Sequence, residues 1–179
     1  MKLLAGLLAT TLTAGAAVAQ GEDVLAKAIN QPGANYNVIG TAQTNRWIKD
    51  AKVAGGQAMR VEVSAAGPNA YAVQAVSPLS KPVVKGHHVT VAIWVRAPKM
   101  KNGETLPIST FGLIGGAPAF TPIATGKATV GSAWTLVDAT GTAPADYAPG
   151  AASVVVHLGS AKGTIDLGPV FVIDRDAGK

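Results

Sequence analysis

The sequence predicts an all-β chain folded as a two-sheet antiparallel β-sandwich, in its most economical form a jelly roll. Three observations predict it. After Gly33, Gly, Pro, Asn or Asp interrupts the sequence roughly every eight to fifteen residues, the punctuation of a sandwich or barrel built from short strands. Residues 58–63 and 88–96 alternate between β-branched or apolar side chains and other residues, the period-two signature of a strand with one buried face. Only one segment has helical spacing, so two sheets burying one face each are the simplest way to build a core.

The elements follow in order. Residues 1–19 read as a secretory signal: Lys2 gives a positive start, Leu3 to Leu12 an apolar stretch, and Ala17-Val18-Ala19 a small-residue cleavage site. The stretch is shorter than the about 20 apolar residues of a membrane span. A mature, exported chain without a membrane span is therefore expected, periplasmic or secreted. Its length suits one domain with an adequate core. Residues 20–44 form an N-terminal segment packing on the sandwich. Within it Val24, Leu25, Ala28 and Ile29 are spaced as in a helix of at most two turns, which Asn30-Gln31-Pro32-Gly33 ends. The sandwich proper is expected over 45–179, with strands at 58–63, 71–76, 88–96, 107–114, 134–139, 152–158 and 164–173. A further strand is expected around 120–123.

Composition excludes several function classes. The chain has no cysteine, so neither disulfides nor thiol chemistry is available. The formal charge is +5, and its lysines are dispersed instead of clustered, so no nucleic-acid partner is expected. No HExxH, no metal-binding Cys/His spacing and no Gly-x-Ser-x-Gly elbow is present. Gly55-Gly56 and Gly115-Gly116 read as turns, because neither follows the strand, loop and helix order of a phosphate site. Most of the acids sit in predicted turns or chain ends and read as solvated surface. No catalytic residue and no nucleotide cofactor is predicted. His87-His88 enters a strand from a turn and reads as exposed. His157 lies within Val154-Val155-Val156-His157-Leu158, as either a hydrogen-bonded structural histidine or a ligand contact.

The strand 88–96 carries the sharpest hypothesis. Val89, Val91, Ile93 and Val95 make its core face, so Thr90, Ala92, Trp94 and Arg96 project from the other side. On an open face Trp94 stacks on a sugar ring and Arg96 donates paired hydrogen bonds to hydroxyls or a carboxylate. The alternative makes Trp94 a second core residue under a covering loop. Gln74 joins them only if its strand neighbours theirs.

Gly55 to Val61, Tyr71-Ala72-Val73-Gln74, Pro82 to Gly86 and the run Val89 to Ala97 occur in an order that resembles the carbohydrate-binding modules of families four and nine. Trp134-Thr135-Leu136-Val137, His157-Leu158-Gly159 and Gly163 to Asp174 continue the likeness, which spans roughly residues 45–175. The resemblance implies a galactose-binding-like jelly roll and non-catalytic binding of a poly- or oligosaccharide on a concave sheet. It offers Trp94, Arg96 and Gln74 as binding residues, with Tyr71 and His157 beside them. It also implies a structural calcium near the chain ends, with Asp174 as one ligand. Two other roles compete with saccharide binding. One is an envelope module that binds a protein partner, which an exposed apolar patch from Phe111 to Phe120 would favour. The other is a jelly-roll polysaccharide lyase or glycosidase, whose two carboxylates would have to meet across strands.

Overall fold

The computed structural model describes residues 24–178. The signal segment 1–19, its cleavage site, and Glu22 and Asp23 lie outside the described residues. Ten strands make two five-stranded antiparallel sheets. The first sheet holds β1 (Asn37–Ile39), β4 (Gln74–Pro78), β9 (Ala152–His157), β6 (Leu106–Gly115) and β7 (Pro122–Val130), in that spatial order. The second holds β2 (Gln43–Lys49), β3 (Gln57–Val63), β10 (Gly163–Asp174), β5 (His88–Arg96) and β8 (Thr135–Thr142). The chain passes repeatedly from one sheet to the other, which is the jelly-roll arrangement.

Alternation builds the core. Val89, Val91, Ile93 and Val95 on β5 are fully buried, as are Val61 on β3 and Val154 and Val156 on β9. Phe111 and Leu113 of β6 lie beside Val154 and Val156 in the first sheet and face the β3 and β5 residues of the second. Burial of this β-branched set at about 25 cal/mol per Å2 is the main stabilising term in a chain without disulfides. The central strand β10 carries Gly168-Pro169, where its pairing with β5 shifts register between Leu167 and Val170. Proline cannot donate to a ladder, so it is accommodated at this bulge.

The structure adds detail at the N-terminal side. The sandwich begins before residue 45, because β1 and the start of β2 lie within 20–44. The helical spacing of 24–29 yields one helical turn among the described residues, at 24–26. The chain then turns extended: Ala28 bridges Ile173 and Gly33 bridges Val170. Asn30 locks this strap, its side-chain amide donating to the Val170 carbonyl (2.9 Å) and its carbonyl accepting from the Val172 amide (2.8 Å). Residues 70–72 form a 3-10 turn, so the strand expected from residue 71 starts at Gln74. No helix among the described residues is long and apolar enough to cross a membrane.

Candidate functional site

The outer face of the first sheet carries a groove of about 550 Å3. Register explains what lines it. Gln74 pairs with His157 and Val76 with Val155 across β4 and β9, while Ser153 pairs with Ile114 across β9 and β6. Side chains two apart share a face, so Ser153, Val155 and His157 all point outward while Val154 and Val156 point into the core. Val155 is only 2% exposed although it stands outside the inter-sheet core, because it forms the groove floor. Next to it Gly112 presents bare backbone.

Two aromatic side chains stand over this floor. Tyr71 projects from the 3-10 turn that precedes β4, is 58% exposed, and meets the His157 ring edge-on with centroids 6.1 Å apart. Phe120 is equally exposed at the other end, beside Ile114, Gly115 and Gly116. Its backbone has φ +45, a conformation that bulky L-residues avoid, and its amide donates to the Gly116 carbonyl at 3.1 Å. An exposed aromatic held in an unfavourable backbone conformation by the β6–β7 connection is a recurrent feature of functional surfaces. The polar groups between them have no side-chain hydrogen bond to any described residue: this holds for the Gln74 amide, the Ser153 and Tyr71 hydroxyls, and the His157 imidazole. Partial burial holds the His157 pKa below its ordinary 6.5, so the ring is neutral at pH 7. Among the described residues, no charged side chain lines the groove.

The five residues expected to bind together are divided between the two sheets. Gln74, Tyr71 and His157 converge on the groove. Trp94 and Arg96 lie on the outer face of the second sheet, since β4 and β5 are not neighbours. Arg96 is held by its own protein: its Nε donates to Asp166 and its Nη2 to Asp50, both at 2.7 Å, and its guanidinium lies 4.6 Å from the centre of the Trp134 ring. Arg60 approaches the same Asp166 in bidentate fashion at 2.7 and 2.8 Å. Trp134 Nε1 donates to Asp50 at 3.3 Å, which seals the cluster from above. Trp94 is half-buried, and its Cβ and Val53 of the loop before β3 both abut Gly168. Arg96 therefore has a structural partner set where an open hydrogen-bonding surface was expected.

Other expectations are corrected in the same way. Asp166 is not solvated surface but fully buried between two guanidiniums, and Asp174 is 5% exposed. His87 and His88 are not simply exposed: His87 Nδ1 lies 2.8 Å from Asp174 and His88 Nδ1 2.8 Å from Asp176. Asp174 also accepts from the Asp176 amide at 2.9 Å, so both of its carboxylate oxygens are engaged. Among the described residues, no group of three or more His, Cys, Asp or Glu is placed to hold a metal ion. Phe111 is buried in the core and cannot form an exposed patch with Phe120. The groove residues that sequence reasoning did not name are Phe120 as a wall, and Val76, Ile114, Ser153 and Val155. Period two along β9 was the signal that could have joined Ser153 and Val155 to His157.

No family profile and no curated protein sequence matches the chain. Solved structures match it through the fold. A CBM4 module superposes with a TM-score of 0.58 at 15% identity, over 85% of this chain and 99% of that one. The CBM22-1 xylan-binding domain of Paenibacillus barcinonensis Xyn10C gives 0.54 at 12% identity, over 85% and 94%. The second N-terminal cellulose-binding domain of Cellulomonas fimi β-1,4-glucanase C gives 0.54 at 17%, over 82% and 94%. An arabinose-bound MgGH51 α-L-arabinofuranosidase gives 0.57 at 16%, over 82% of this chain, but this chain spans 25% of that protein. At such identities the likeness establishes the jelly-roll sandwich that this chain shares with carbohydrate-binding modules.

Proposed function

We propose that this protein is an exported, non-catalytic saccharide-binding module whose ligand lies along the groove of the first sheet, between Tyr71 and Phe120. One observation carries the reading: two solvent-facing aromatic rings flank a trench in which Gln74, Ser153 and His157 offer hydrogen-bonding groups with no protein partner. Sugar rings present apolar CH faces to aromatic side chains and hydroxyls to amides, hydroxyls and imidazoles, which is this combination. From His157 to Ser153 the floor extends for roughly 13 Å by strand rise, room for a short oligosaccharide. That solved structures of this fold include domains named for binding xylan and cellulose supports the same reading.

Calorimetric titration with neutral oligosaccharides tests it. Tyr71→Ala and Phe120→Ala are each expected to weaken binding by about tenfold or more, equal to about 1.4 kcal/mol, with far-UV circular dichroism unchanged. Trp94→Ala tests the opposite face. Loss of binding in Trp94→Ala alone would move the ligand to the second sheet, and no binding by any neutral oligosaccharide would end the proposal. A second reading, a protein-docking module of the envelope, draws on Trp47, which is 51% exposed on the edge strand β2. A stable protein partner whose capture is lost in Trp47→Ala, with no saccharide binding, is the outcome that would favour it.

A further inference from the structure

The floor of the groove is unlike its ends. At the Tyr71 end Gln74 and His157 form a polar pair, and toward the Phe120 end Ser153 adds a side-chain hydroxyl to the lining. Between them the lining is aliphatic: Val76, Val155 and Ile114, with the bare backbone of Gly112 beside Val155. A fully hydroxylated sugar laid along this path would press hydroxyls onto Val76 and Val155, where they lose water and find no partner. A methyl group in the same place removes apolar surface from water on both sides. The described lining residues carry no charge, which fits a ligand that is itself uncharged, since an unpaired charge brought onto this floor would be desolvated without compensation.

We infer that the groove selects neutral glycans carrying acetyl groups, with the acetyl methyl seated on Val155 and Val76. The acetyl carbonyl then accepts from the Gln74 amide at one end or the Ser153 hydroxyl at the other. This rests on the saccharide-binding reading and narrows it to a ligand class. The acetyl group can be an acetamide or an ester, and the chemistry at the floor is the same for both.

Two matched pairs of probes separate these sources. Chitohexaose and cellohexaose share one backbone linkage and differ by acetamide against hydroxyl. Acetylated and alkali-deacetylated xylo-oligosaccharides differ by the ester alone. Titration of the full chain is expected to give at least about tenfold tighter binding for the acetylated member of one pair or both. Whichever pair shows it identifies acetamide or ester as the source. Equal or tighter binding of the unacetylated member in both pairs overturns the inference and leaves saccharide binding standing. No binding of any of the four probes overturns the inference, and the saccharide-binding reading falls as well when the wider set of neutral oligosaccharides also fails to bind.

Val155→Thr puts a hydroxyl on the floor at nearly constant volume. It is expected to weaken the acetylated probe several-fold and to strengthen the plain one, whose hydroxyls then find a partner on the floor, so that the preference narrows or inverts. Val76→Thr, on a less buried position, gives the same readout should Val155→Thr melt early. Retention of the acetyl preference in the folded variant, whichever it is, removes the floor from the explanation.

Discussion

His157 stands in the groove with no hydrogen-bonding partner, and burial alone lowers its pKa. The sign of the consequence is fixed. Below the ordinary value of 6.5 the unfolded chain takes up a proton at this position before the folded chain does. Its contribution to stability is therefore full above pH 6.5 and falls as pH drops through 6.5 toward the folded-state pKa. Chemical denaturation between pH 7.5 and 5 is expected to show this loss, and His157→Gln to remove that part of it. An unchanged pH profile in His157→Gln would show that the ring is solvated. Asp166 behaves differently, because it is a fully buried acceptor for two arginines and its hydrogen bonds are the first cause that raises the Arg60 pKa. Asp166→Ala leaves Arg60 and Arg96 short of their common partner, and a loss of about 3 kcal/mol is expected. Arg46 pairs with Glu62 on the solvated surface, so Arg46→Ala is expected to cost less than about 1 kcal/mol. Denaturant melts of the two variants check the contrast.

Among the elements, β6 is the one whose sequence bears most directly on the groove. Gly112 has φ +131, and a Cβ there would collide with the Ala124 carbonyl of β7. The neighbouring strand thus excludes a side chain at this point, and the floor beside Val155 stays low. Gly112→Ala is expected to lower stability by about 2 kcal/mol, with both the strained φ and the clash contributing. A thermal melt equal to wild type would mean that β6 and β7 can separate locally at no cost. Strand β5 runs over the residues that alternation indicates, His88 to Arg96. By contrast, β2 carries Gln43, Thr44, Asn45 and Arg46 and was not legible. An edge strand of the second sheet is solvated on much of its surface, so nothing forces its residues to alternate. Most of β7 was hidden for another reason: exposed Thr125, Lys127 and Thr129 alternate with less exposed Gly126, Ala128 and Val130, but two of those three are too small to mark an apolar face.

At the scale of the whole molecule, the two sheets are held together by a continuous aliphatic core without disulfides. The strap 28–33 is pinned to β10 by Asn30, and the end of β10 is pinned to the start of β5 by the His87–Asp174 and His88–Asp176 pairs. In these contacts both carboxylate oxygens of Asp174 are engaged by protein groups. The melting temperature is accordingly expected to be the same in EDTA and in millimolar calcium. A rise with calcium would show that carboxylates from the N-terminal segment complete a site with Asp174.

Alternating β-branched residues and even turn punctuation were sufficient to specify an all-β sandwich and, apart from most of β7, the strands from β3 onward, because burying one face of a strand leaves a period-two record in the chain. The residues Gln74, Tyr71 and His157 were legible as candidates for a binding role. Their separation from Trp94 and Arg96 was not, because alternation states that a side chain leaves the core but not which of two sheets it leaves. That assignment comes from strand pairing: β4 lies beside β9 and β5 beside β10, contacts between residues far apart in the chain. The same long-range pairing brings Asp166 to Arg60 and Arg96 and carries Phe120 to the end of a trench opposite Tyr71. Local sequence holds no record of such partners, so their chemistry became readable only once the two sheets were assembled.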